Sequence, residues 1–67
     1  MQVDMAKELI MIYKNDGFKD INIELTTNEV VSISGNYRVQ TRGKWLVLMF
    51  NYYTLQILSD YIARITV

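Results

Sequence analysis

The longest unbroken apolar run in the chain covers residues 45–50, which read WLVLMF. A strand that is buried on one face alternates apolar and polar residues, whereas a continuous apolar run requires cover on both faces. A chain of 67 residues has little material from which to build two covers. The run therefore predicts a strand whose burial is completed by a second copy of the chain or by a partner.

Apolar residues recur at helical spacing towards both ends of the chain. Residues 2–15 are predicted to form a helix, which Gly17 ends because glycine readily takes the left-handed conformation of a helix end. Residues 52–65 are predicted to form a second helix with Asn51 as its N-cap. The predicted buried sides are Met5, Ala6, Leu9, Ile10, Ile12 and Tyr13 in the first helix, and Leu55, Leu58, Tyr61, Ile62 and Ile65 in the second.

Three strands are predicted between these helices, at about residues 21–25, 31–39 and 44–50. Gly35 is predicted to mark a bend in the second strand, because the alternative, a tight hairpin at Gly35 and Asn36, would place polar residues opposite apolar ones. The order is then α-β-β-β-α. It predicts a single small α+β domain over residues 1–67, a three-stranded antiparallel meander with two helices packed on one face.

The register of the third strand decides which of its side chains face the helices. A three-residue loop at 41–43 pairs Val39 with Trp45 and keeps the apolar faces of the two strands together. The sheet face away from the helices then carries Leu46, Leu48 and Phe50. Since this strand is also at the edge of the meander, we expect these three residues to form a contact surface, most simply that of a symmetric homodimer. The alternative is that the second helix or a terminus folds over them.

Arginine and aromatic residues lie close to this expected surface in the sequence. Trp, Tyr and Arg dominate the hot spots of protein interfaces, so Arg38, Arg42 and Tyr53 are predicted to be rim or anchor contacts. Tyr37 and Trp45 have the parity of core-facing residues, and plain core packing is the expected role of both.

Composition and charge limit the chemistry available to this chain. It contains no Cys and no His, so a disulfide is excluded and a zinc site is not expected. The same absences remove the commonest general base and a favoured nucleophile, and we expect no enzymatic activity and no cofactor. The formal net charge is zero, but residues 1–29 hold six acids against three lysines, whereas residues 30–59 hold three bases and no acid.

Nucleic-acid binding is the main alternative from another functional class. The segment 37–45 combines Arg38, Arg42 and Lys44 with aromatic residues, as in ribbons that contact phosphates and stack on bases. The predicted α-β-β-β-α order also resembles double-stranded RNA-binding domains, but in topology alone. That family has a lysine-rich start to its second helix, where this chain reads NYYT at 51–54, and a histidine-containing loop, where it reads TTNE at 26–29. The resemblance therefore assigns no binding residue.

These patterns together favour a small, non-catalytic, cytoplasmic protein that self-associates and acts by binding a partner protein. No apolar stretch approaches the roughly 20 residues that cross a bilayer, and a membrane partner is not expected. A mobile-element-encoded inhibitor or a regulator of a host protein is a role that such a chain would suit.

Overall fold

The chain folds into one α-helix and six strands, which form two three-stranded antiparallel sheets. The computed structural model describes residues 1–67. The elements are α1 (Val3–Asn15), β1 (Asp20–Leu25), β2 (Val30–Ser34), β3 (Arg38–Arg42), β4 (Trp45–Met49), β5 (Thr54–Leu58), a 3₁₀ helix (Ser59–Tyr61) and β6 (Ile62–Thr66). The predicted α-β-β-β-α order with two helices is therefore wrong. The topological resemblance to double-stranded RNA-binding domains is wrong for the same reason, because it depended on that order.

The second predicted helix is replaced by β5, the 3₁₀ helix and β6. Leu55, Leu58, Ile62 and Ile65 fit a helical period, but Leu55 and Ile57 also alternate with polar neighbours as a strand requires. The segment is rich in β-branched residues, which fit a pleated sheet better than a helix. In the fold, β5 supplies β4 with a second neighbour and β6 pairs with β1, so tertiary pairing decides between the two periods.

The two sheets have the strand orders β2-β1-β6 and β3-β4-β5. β2 and β3 follow one another directly, but each pairs with a different strand, β2 with β1 and β3 with β4. Gly35 lies between them with a φ of 86°, a left-handed conformation that favours glycine. The prediction of one continuous strand over residues 31–39 is therefore wrong, because the chain passes from one sheet to the other at Gly35.

β4 is a central strand, which corrects the prediction that it lies at an edge. Its turn with β3 has two residues, Gly43 and Lys44, so that Arg42 rather than Val39 pairs with Trp45. This register differs from the predicted one by an odd number of residues, and an odd shift turns every side chain to the other face of the sheet. Leu46 and Leu48 consequently point into the core.

Helix α1 lies against β3, β4 and β6 and buries Ala6 and Ile10. Its end is as predicted, because Gly17 has a φ of 90° and the amide of Phe18 donates to the carbonyl of Tyr13 at 3.1 Å. Met5 and Ile12, predicted on the buried side, are about half exposed. The core consists of Ala6, Ile10, Ile21, Ile23, Ile33, Tyr37, Leu46, Leu48, Ile57, Ile62 and Ile65.

Candidate interaction surfaces

The residues predicted to form the apolar contact surface lie in the core or at its margin. Leu46 and Leu48 have no exposed surface, so the folded chain cannot offer them to a partner. Phe50 is partly buried and packs against the core. The predicted contact surface of Leu46, Leu48 and Phe50 is therefore wrong, because the other sheet and α1 cover the inner face of β4.

Phe50 instead belongs to an aromatic cluster at one end of β4. Its ring stacks on that of Tyr53, with centroids 4.6 Å apart, and contacts Tyr37 at 5.1 Å. Lys14 of α1 donates from its Nζ to the carbonyl of Tyr37 at 2.7 Å and also lies over its ring. Tyr37 is buried, as predicted, whereas Tyr53 and the neighbouring Tyr52 are exposed. The cluster ties α1 to the sheet and leaves two tyrosines in solvent.

A basic row lies on the outer face of the second sheet, along β3. Arg38, Gln40 and Arg42 have the same parity and are all exposed, while Val39 and Thr41 between them are half-buried. Neither arginine forms an ion pair with a carboxylate. Lys44 continues the positive charge in the turn after β3. The structure thus presents Arg38 and Arg42, two of the predicted rim residues, on one continuous surface.

The outer face of this sheet is built from cross-strand rows. One row joins Gln40, Val47 and Gln56, and the next joins Arg42, Trp45 and Leu58. Val47 is buried between its neighbours, although it points away from the core. Trp45 is 42% exposed, so the expectation that it lies in the core is wrong. The register of β4 against β3 explains why Trp45 is exposed. It turns Leu46 towards the core and Trp45 towards solvent.

The free edge of β5 was not anticipated from the sequence. The amide of Ser59 donates to the carbonyl of Lys44 at 2.9 Å, and the amide of Phe50 donates to the carbonyl of Tyr53 at 2.9 Å. In an antiparallel pair the residues that exchange hydrogen bonds alternate along the strand. Residues 53, 55, 57 and 59 therefore face β4. The backbone N–H and C=O groups of Thr54, Gln56 and Leu58 point to the open side, where no strand pairs with them.

A largely apolar groove of about 430 Å³ lies beside this edge. It contacts the consecutive residues 55–58, whose side chains alternate between the two faces of the sheet, so it must run alongside the strand. Its apolar lining includes Leu25, Val31, Trp45, Leu55, Leu58 and Tyr61. The groove separates β5 from the end of the β1–β2 hairpin, and it combines unpaired backbone groups with exposed apolar surface.

The one ion pair of the protein lies in the other sheet. Arg64 of β6 donates to both carboxylate oxygens of Glu24 in β1, at 2.8 and 3.1 Å. This hydrogen-bonded arginine lowers the pKa of the Glu24 carboxyl and raises that of its own guanidinium. Burial raises the pKa of the Tyr37 phenol, because the charged phenolate would lose its hydration there.

No group of three or more Asp and Glu side chains is placed to hold a metal ion. The single α-helix, with 13 residues, is too short to cross a bilayer. No protein-family model, no curated protein and no solved structure matches this chain.

Proposed function

We propose that this chain is a non-catalytic, cytoplasmic protein-interaction module that self-associates along the free edge of β5 and binds a partner protein in the associated form. The β5 edge is the observation that carries the proposal. An unpaired row of backbone N–H and C=O groups is a template for the addition of another strand. Natural edges are usually protected by charges, proline or a bulge, and β5 has none of these.

Self-association also suits the size of the chain and the groove beside the edge. A domain of this length buries only about 60% of its unfolded surface, so its stability benefits from additional burial. Strand addition at β5 places new side chains over the apolar groove that Leu25, Val31 and Tyr61 help to line. Covering that surface would contribute through the hydrophobic effect while the backbone groups gain hydrogen-bond partners.

The partner protein would meet the basic and aromatic surface that remains exposed. Arg38 and Arg42 lie on the opposite edge strand of the same sheet, and Tyr53 lies just before β5. Arg and Tyr are typical anchors of protein interfaces, and two arginines without carboxylate partners favour an acidic surface on the other side.

One substitution made on two edges tests the self-association. Gln56 and Gln40 are both exposed, lie in the same cross-strand row, and belong to opposite edge strands of one sheet. We expect wild type and Gln40→Lys to sediment as an associated species, and Gln56→Lys to sediment as a folded monomer, because lysine on an edge opposes strand addition. A wild-type chain that remains monomeric at high concentration, or equal effects of the two lysines, would overturn the proposal.

Nucleic-acid binding is retained as a second candidate, because Arg38, Gln40 and Arg42 form an exposed row without carboxylate partners. Such a row suits contacts to phosphates, which weaken steeply as salt rises. In a gel-shift titration at low salt, this candidate requires salt-sensitive binding that Arg42→Ala weakens. Absence of binding at low salt, or binding that Arg42→Ala leaves unchanged, would eliminate it.

A further inference from the structure

The structure also indicates which strand occupies the β5 edge. We propose that two copies pair β5 with β5 in antiparallel orientation around a two-fold axis at Gln56, forming a continuous six-stranded sheet. This inference rests on the proposed self-association and adds the occupant and its register. Three observations support it: the parity of the free backbone groups, the match of side chains across the axis, and the absence of charge.

The parity of the free groups is compatible with a two-fold axis. Thr54, Gln56 and Leu58 all point their backbone groups to the open side, and Gln56 is the middle one. An axis at Gln56 places Thr54 of each copy opposite Leu58 of the other and Gln56 opposite Gln56. Each of these three pairs exchanges two hydrogen bonds, so the interface gains about six. An axis at Leu55 or Ile57 would pair only two of these three residues with each other, so about four hydrogen bonds would form within β5.

The side chains match across the same axis. On the core side of the sheet, Leu55 of each copy lies opposite Ile57 of the other, so apolar residues face apolar residues. These side chains also border the apolar groove. On the outer side, Leu58 lies opposite Thr54 and the two Gln56 amides face each other. Glutamine amides carry both donors and acceptors and can therefore pair with themselves.

Charge distinguishes β5 from β3, the other edge of its own sheet, whereas β2, an edge strand of the other sheet, is also uncharged at residues 30–34. None of the residues 54–58 is charged, so no like charges meet at the two-fold axis. The β3 edge carries Arg38 and Arg42, which would face the same arginines of a second copy. The β6 edge is partly occupied, since the Met1 amine donates to the carbonyls of Ser59 and Ile62 at 3.3 and 3.0 Å. Pairing of β5 with itself gives the free backbone groups hydrogen-bond partners. It brings no like charges together and displaces no existing hydrogen bond.

Single cysteines test this register directly, because the chain contains no other cysteine. Directly opposed residues of a hydrogen-bonded pair have Cα atoms about 5.5 Å apart, within the range of a disulfide. Under mild oxidation at low protein concentration, we expect Gln56→Cys to form a covalent dimer in high yield. Gln40→Cys, the matched control on β3, should form little. Thr54→Cys and Leu58→Cys should each cross-link poorly alone but efficiently when the two variants are mixed.

The outcomes separate the register from the self-association. If wild type associates and Gln56→Lys abolishes association, but Gln56→Cys cross-links no better than Gln40→Cys, the register is overturned and the association edge stands. Assemblies larger than a dimer also overturn it, since pairing of β5 with itself uses up the edge in two copies. A monomeric wild type overturns both proposals.

Discussion

The two edges of the sheet β3-β4-β5 have opposite character. The β3 edge bears Arg38 and Arg42, and helix α1 lies against its strand, held there by the bond from Lys14 to the carbonyl of Tyr37. The β5 edge bears no charge and adjoins a largely apolar groove. Both strands have five residues and flank the same central strand. The chain therefore protects one edge from strand addition and leaves the other available.

This difference shows which parts of the sheet a short chain covers by itself. It has one helix, and that helix completes the core over Ala6 and Ile10 while it lies along the β3 side. Burial of β4 does not require a second copy, since Leu46, Val47 and Leu48 are all buried within the monomer. What the monomer leaves incomplete is the pairing of its edge strands, among which β5 is uncharged and runs alongside the apolar groove. Association is thus expected at an edge rather than at the apolar face of β4.

The largest expected effect comes from the central strand between the two edges. Leu48→Ala removes a side chain with no exposed surface and should lower the free energy of unfolding by about 2–5 kcal/mol. Leu58 of β5 is only half-buried, so Leu58→Ala should lower the free energy of unfolding of the monomer by less. Chemical denaturation of both variants checks this order. If Leu48→Ala left stability unchanged and weakened association instead, β4 would be the contact strand after all.

Proline substitutions test which backbone N–H groups of the two edge strands are free. Gln56→Pro removes an N–H that faces the open side, so the monomer should remain folded while association weakens by at least about tenfold. Gln40→Pro removes an N–H that faces β4 by the same alternation, and should destabilise the monomer by about 1–3 kcal/mol. Circular dichroism and sedimentation equilibrium measure the two effects. Unfolding of Gln56→Pro to the same extent as Gln40→Pro would contradict the assigned parity.

Salt dependence should distinguish the uncharged edge from the basic one. Because residues 54–58 carry no charge, raising the salt concentration should change the dissociation constant of the self-associated form by less than about twofold. Binding of an acidic partner or a nucleic acid at Arg38 and Arg42 should weaken strongly over the same range. Sedimentation at several salt concentrations checks the first statement. Dissociation by salt would place the association surface on oppositely charged residues instead, such as a contact of Arg38 and Arg42 with acidic residues of a second copy.

The smallest expected effect concerns the ion pair that joins β6 to β1. Since Arg64 lowers the pKa of the Glu24 carboxyl in the folded state below its ordinary value of 4.5, this pair stabilises the fold fully above that pH. Its contribution is lost as the pH falls through the lower folded-state pKa. Glu24→Gln should therefore give a slightly flatter dependence of stability on pH in the acid range. Glu8→Gln, on the exposed face of α1 and without an ion pair, is the control and should leave that dependence closer to wild type.

The sequence predicted the N-terminal half of the fold better than the C-terminal half. Helix α1 follows from a single strong period and a glycine stop, and the absence of a tight hairpin at Gly35 follows from the conflict of faces that such a hairpin would produce. The apolar residues after residue 50 fit both a helical and a strand period. The strands form because β5 pairs with β4 and β6 pairs with β1. Local propensity cannot supply that information, because the partners are distant in sequence.

The candidate surface was predictable only in part, for the same reason. Arg38, Arg42 and Tyr53 are exposed, as contact residues must be, and their role as interface contacts stays a prediction. Leu46 and Leu48 were assigned to the wrong face because a two-residue turn replaced the expected three-residue loop. The β5 edge was missed because its residues were assigned to a helix. The alternation of polar Thr54 and Gln56 with apolar Leu55 and Ile57 was the one signal that could have revealed it.

Hydrogen exchange at individual amides tests the central claim, that β5 is the association edge, most directly. The outward-facing amides are those of Thr54, Gln56 and Leu58 on β5, and by the same alternation those of Val39 and Thr41 on β3. With rising protein concentration, we predict that exchange slows at the three β5 amides and stays unchanged at the two β3 amides. Fast exchange at the β5 amides at every concentration, or new protection at β3, would contradict the account.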